Sequence, residues 1–240
     1  MHFYLPKPLH GWREFAGEVA IIVLGVLLAL AAEQVVERFS WEEKARSARE
    51  AMNKELLWDD GPQVYQRAAL HECLQSNLDE IRAAVEANRS RAEIVDLTSR
   101  YQLQFLSYDA LAHDAANAAG VFAHMPAADV QTWTNAYAMI PLMDRTAARE
   151  AADIAHLKAL RHSGGQLSDL ERDRLLDAVE TVRSDEALMW SATRWTLPSI
   201  FHLEGELDRR RIHIFIGFAR KHYGRCVKDI PRTWGSSILS

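Results

Sequence analysis

Residues Val19 to Ala32 read VAIIVLGVLLALAA, an uncharged apolar run closed by Glu18 before it and Glu33 after it. Fourteen residues of helix rise about 21 Å, short of a hydrocarbon core of about 30 Å. A helix from Gly11 to Val36 covers the distance and leaves Glu14, Glu18 and Glu33 at the interfaces, where Trp12, Phe15 and Trp41 are placed as flanking aromatics. A cleaved signal peptide is the rival reading, since Ala29-Leu30-Ala31 has the small-x-small pattern and Lys7 and Arg13 give a basic leader. Glu14 and Glu18 in that leader, and a helical pattern that runs on through Ala32, favour a retained span.

Beyond the span the pattern is helical. Trp41, Ala45, Ala48, Met52 and Leu56 recur at three and four residues, with Glu42–Arg46 and Glu50–Lys54 as supportive pairs on the solvated side. Asp59-Asp60-Gly61-Pro62 predicts a break, with Pro62 opening a second helix to Asn88 whose seam is Leu74, Leu78, Ile81 and Val85. A third stretch spans Ala92 to Phe105 on Ile94, Leu97, Tyr101 and Phe105. Ser107 reads as the N-cap of an Ala-rich helix, Tyr108 to Ala119, closed by Gly120. The next helix runs from Pro126 to Arg161 with a kink at Pro141. Gly164-Gly165 breaks the chain, and Ser168-x-x-Glu171 is a capping box for a helix through Trp195 that Pro198 disturbs. Ile212, Ile214, Ile216 and Phe218 alternate like a strand, but Ile212, Ile216, Ala219 and a terminal Gly224 fit a helix, and the helix is expected.

The fold class expected is therefore all-α: an N-terminal transmembrane helix continuing into a helical bundle. Its divisions are a tail (1–10), the transmembrane helix (11–36), a helical stalk (37–60), the bundle (61–204) and a basic C-terminal segment packing on it (205–240). With 11 Gly and 7 Pro in 240 residues, a turn-rich β-sandwich is excluded. A net charge of −5 gives no basic field for nucleic acid, and none is expected as partner.

At 100° per residue, Glu14, Glu18, Ile21, Gly25, Ala29 and Ala32 fall in a stripe roughly 80° wide. Small residues let membrane helices approach closely, so this stripe is the candidate contact face, for a second copy or for another membrane protein. The alternative is a lipid-facing helix with Glu18 among headgroups. Membrane lipid is the other expected partner.

Catalytic chemistry is not legible. There is no HExxH, no G-x-S-x-G and no phosphate loop. His71-Glu72-Cys73 is too compact to converge on a metal. Asp109 and His113 stand at i,i+4 with His124 beyond a turn, and His156 and His162 are misaligned on one helix. No metal, no cofactor and no enzymatic activity are expected. Arg209-Arg210-Arg211 with Arg220, Lys221, His222 and Arg225 make the C-terminal segment basic, a solvated face or a contact for anionic lipid or an acidic partner. Trp133, Tyr137, Trp190 and Trp195 are spaced as core aromatics, and could alternatively line a ligand site.

The expected function is that of a membrane-anchored interaction or assembly protein, self-associating or an accessory subunit. The alternative is an extracytoplasmic ligand-sensing bundle. The short N-terminal tail points to a periplasmic body on a single-pass inner-membrane anchor, while Arg38, Lys44, Arg46 and Arg49 after the span point the other way. Outside the cytoplasm Cys73 and Cys226 can pair, and two buried thiols are the alternative.

The run from Glu18 to Gln34, with its I-V-x-G-V-x-x-A/G core, resembles a group of uncharacterised bacterial single-span proteins that carry this N-terminal segment before a charged helix. The stretch Tyr108–Tyr137, with Gly120 and Met125-Pro126, is similar to their helical body. Glu33-Gln34-Val35-Val36-Glu37 stands where the group often has Asn-Trp-Asn-Glu. The resemblance implies the architecture alone and carries no activity.

Overall fold

A computed structural model describes residues 11–103, 107–160, 165–203 and 205–234; of Arg13 and Glu14 only the helical backbone is described. The chain is all-α, a long N-terminal helix followed by a helical bundle, with no strand among the described residues. Its helices are α1 (Trp12–Lys54), α2 (Gly61–Glu86), α3 (Arg91–Arg100), α4 (Leu111–Ala118), α5 (Ala127–Tyr137), α6 (Ile140–Leu157), α7 (Asp169–Phe201) and α8 (Arg209–Tyr223). The chain divides into two compact units, Met1–Ser47 and Ala48–Ser240. The expected stalk of 37–60 is thus divided: Met52 and Leu56 are fully buried and Leu57 nearly so, all three in the core of the second unit.

In the first unit every residue from Phe15 to Ser40 is exposed. An 18-residue window there has a mean hydropathy of 2.5 and none of it is buried, so the helix is long and apolar enough to cross a membrane.

In the second unit, α7 packs against both α2 and α6, and α8 lies on α2. The seam Leu74, Leu78, Ile81 and Val85 is buried, as its 4-3-4 spacing predicts. The break expected at Asp59–Pro62 does not occur. The chain stays helical through Glu55–Asp60 as one π-helical turn, and Gly61 keeps right-handed helical angles. Its N–H reaches back five residues to the Leu56 carbonyl, so the ladder is already shifted when Pro62 arrives at the first turn of α2, where its missing donor costs least. A Cβ at Gly61 would stand 2.4 Å from the Leu56 carbonyl oxygen and 2.3 Å from Leu207 Cδ2. Glycine is what allows this turn to close.

Other boundaries move for identifiable reasons. Ser90 and Glu93 form a reciprocal capping box, so α3 opens at Arg91; it ends at Arg100, and Phe105 lies outside the described residues. Ser107 caps nothing. The helix after it starts at Leu111 with no side-chain cap from its own segment, and carboxylates remote in sequence serve one amide just before it and one in its first turn. The Asp60 carboxylate accepts from the Asp109 N–H at 3.4 Å, and Glu55 accepts from the Ala112 N–H at 2.8 Å. The expected kink at Pro141 is a full break between α5 and α6, with Pro141 in the first turn of the latter. The Ser168–Glu171 capping box opens α7 as expected, but that helix passes Pro198 and ends at Phe201. The C-terminal segment is helical, capped by Asp208 at its start and ended by Gly224 at φ 71°.

Candidate functional site

On α1, the contact-face residues Glu18, Ile21, Gly25, Ala29 and Ala32 are all exposed; the side chain of Glu14 lies outside the described residues. A Cβ built at Gly25 meets nothing within 4 Å, so the absence of a side chain there serves no contact inside the chain. No acidic or basic residue interrupts this face between Glu18 and Glu33.

The second unit holds the opposite arrangement, ions inside. Arg67 on α2 donates through both terminal nitrogens to the two oxygens of Glu150 on α6, each at 3.1 Å. The same guanidinium lies 3.9 Å from Glu186 on α7. All three are buried, at 6%, 3% and 1% exposure. Glu186 also accepts from Gln75 Nε2 at 2.8 Å and stands 3.1 Å from His71 Nδ1. Burial pushes the Glu150 carboxyl up from its ordinary value, and the Arg67 charge and hydrogen bonds pull against that rise. Because these groups sit on three helices, sliding one helix by a turn would strand a buried charge. The cluster therefore fixes the relative register of α2, α6 and α7.

The spacing of aromatics gave no hint of this cluster, but the seams did contain it. Arg67 precedes Leu70, Leu74 and Leu78 on the buried face of α2; Glu150 precedes Ile154 and Leu157 on α6; Glu186 follows Val179 and Val182 on α7. A charged residue in the apolar stripe of each of three helices, with Asp185 buried beside Glu186 on α7, is the signal that would have found it.

The four aromatics do not line one site. Trp133 and Tyr137 are buried on α5, and the Tyr137 hydroxyl donates to the Met52 carbonyl at 3.3 Å. Trp190 is half-buried and stacks on His71 with ring centroids 3.9 Å apart, with Trp234 at 5.6 Å. Trp195 is 53% exposed, since the buried face of α7 runs through Met189, Ala192, Thr193 and Thr196 and leaves it outside. Trp133 borders a cleft of about 320 Å³ with Arg49, Asn53 and Asp129. A larger cleft, about 870 Å³, opens beside α6 and α7 around Asp153, His156, Arg174 and Asp177. Charges of both signs line it.

Cys73 on α2 and Cys226 after α8 form a disulfide, with Cα atoms 5.4 Å apart. Among the described residues no group of three His, Cys, Asp or Glu side chains is placed to hold a metal. His113 packs against Tyr137 and Phe122, His156 lines the larger cleft, and His162 lies outside the described residues. In the basic segment, Arg209 pairs with Glu206, Arg211 with Asp59 and Arg220 with Asp229. Much of that charge is answered within the chain.

Comparison with protein-family models, with curated proteins and with solved structures finds no match for this chain.

Proposed function

We propose that the protein is a single-pass membrane protein of the bacterial inner membrane whose helical body lies outside the cytoplasm, and that it works by association. The observation that carries this reading is an uninterrupted apolar stretch of helix, Val19–Ala32, every residue of which is exposed among the described residues. Exposed leucine, isoleucine and valine side chains over this length are stable in lipid or against another helix and not in water. The Cys73–Cys226 disulfide supports a body in an oxidising compartment. The buried ions Arg67, Glu150 and Glu186 pair among themselves and with Gln75 and His71, which suits a scaffold held in register more than a reacting centre.

The test has two parts. The full-length chain should resist carbonate extraction from membranes and lose that property on deletion of residues 1–40. A fusion at Ser240 should be active as alkaline phosphatase and dark as a fluorescent protein that folds only in the cytoplasm. Carbonate-soluble protein would remove the anchor; a cytoplasmic reporter would remove the periplasmic body and leave the anchor standing.

A further inference from the structure

The exposed face of α1 has a stricter period than a stripe of small residues. Ile21, Gly25, Leu28, Ala32, Val35 and Phe39 are spaced 4-3-4-3-4, about two and a half heptads over about 27 Å. Gly25, Ala32 and Phe39 take the a positions and Ile21, Leu28 and Val35 the d positions. Ile21, Leu28, Val35 and Phe39 are 73%, 63%, 53% and 67% exposed. Lipid explains the first half of this seam but not the second. Val35 and Phe39 lie beyond Glu33, among charges, and the polar residues there keep off the seam: Glu33, Gln34 and Glu37 fall at b, c and f. A helix wetted by lipid or water on all sides has no reason to sort its residues this way.

We infer that α1 pairs in parallel with α1 of a second copy, through a left-handed seam that begins inside the membrane and ends at Phe39 outside it. This rests on the proposed single-span reading, because a single span gives every copy the same direction and so makes the pair parallel. Charge complementarity selects a second copy. In a parallel pair, position g faces position e of the partner helix five residues on. Arg38 stands at g and Glu43 at e, so the two-fold operation produces the opposite-charge contact twice. Within one chain these residues are held only by exposed pairs, Arg38 with Glu42 and Glu43 with Arg46, each at 3.1 Å, and exchanging such pairs costs little. Past Phe39 the seam turns polar at Glu42 and Arg46, just before the second unit begins at Ala48.

The experiment is single-cysteine crosslinking of the full-length protein in membranes, with both native thiols already in their disulfide. Val35→Cys and Phe39→Cys should give disulfide-linked dimers several-fold faster than the outward controls Gln34→Cys and Glu37→Cys. In the Val35→Cys background, Arg38→Glu or Glu43→Arg should slow crosslinking, and the two together should restore it, an outcome that misfolding of either single variant would not produce. Equal rates at the four positions, or no rescue, would overturn the parallel pair. A large assembly on native gels without homodimer crosslinks would overturn the pair in favour of a different protein on this face while leaving the association reading intact. Protein extracted by carbonate would overturn both.

Discussion

The N-terminal helix and the bundle place their residues in opposite ways. From Phe15 to Ser40 the described apolar side chains are all outside; from Ala48 onward most of them are inside, with exceptions such as Trp58, Leu111 and Trp195, and the bundle interior even takes in Arg67, Glu150 and Glu186. Among the described residues both units are built of helices, so secondary structure does not separate them. On the proposed membrane-anchored reading, what separates them is the medium each helix is written for. A helix in lipid has nothing to gain from hiding leucine and much to lose from an unpaired charge. A helix in water gains by hiding leucine and can bury a charge only if partners come with it. Perturbations aimed at interior ions and crosslinks should therefore damage the bundle and leave the anchor untouched.

The largest such effect is expected at the disulfide. Cys73 and Cys226 are 153 residues apart in sequence, and closing a loop of that length removes chain entropy worth about 5 kcal/mol from the unfolded state before any strain. Replacing both cysteines by serine should lower the urea midpoint of the body sharply, read by tryptophan fluorescence in detergent, with carbonate resistance unchanged. A variant as stable as the parent would show that the crosslink does not constrain the unfolded chain.

The buried triad comes next. Arg67→Met removes the guanidinium that, among the described residues, reaches both Glu150 and Glu186; it strands the buried Glu150 carboxylate and leaves Glu186 with His71 and Gln75, a loss of roughly 3–5 kcal/mol. Combining it with Glu150→Gln removes one stranded charge and should recover part of that loss. If the single and double variants were equally unstable, the side chain of Arg67 would matter for packing and not for charge.

How much of this was open to reading from the sequence follows from how local each cause is. The apolar run Val19–Ala32, the seam Leu74–Val85, the Ser168–Glu171 box and the Gly224 terminus depend on residues within a turn or two of one another, and each stands as the pattern predicts. The failures have causes that lie far off in sequence. Ser107 lost its role because the Asp109 amide it was expected to serve goes to Asp60 and the helix starts later, where Glu55 accepts from Ala112; both carboxylates lie about fifty residues earlier. The break at Asp59–Pro62 was overruled by a widened turn in which Gly61 leaves room for the Leu56 carbonyl and for Leu207, about 150 residues on. Trp195 was placed inside by spacing alone, when the phase of its helix is set by Met189, Ala192 and Thr196. The ion triad went unread: Arg67, Glu150 and Glu186 each lie in a buried stripe, but which would meet which needed the packing of α2, α6 and α7 against one another.

The smallest expected effect is a slope against pH, and it arises in the π-helical turn that joins the two long helices. Asp60 is 1% exposed, and its carboxyl is raised from an ordinary 3.8 to about 8, by burial first, against the Asp109 amide and together with the carboxylates of Glu55, Asp109 and Asp59. Between those two values the folded protein keeps a proton that the unfolded chain has released. The contribution is therefore fully present below about pH 4 and is lost as pH rises through about 8. The urea midpoint should climb as pH is lowered from 8 toward 5, by an amount on the order of 3 kcal/mol in stability. Asp60→Asn keeps an oxygen for the Asp109 N–H and cannot ionise, so it should be more stable than the parent at pH 8 and show a flatter profile. Some slope will remain in that variant, because burial also raises the carboxyls of Glu55, Glu150 and Asp185, and these act with the same sign. Identical slopes in parent and variant would mean that Asp60 is not where the proton is held. Carbonate resistance should be the same in both across this range, because none of these carboxyls belongs to the exposed apolar helix.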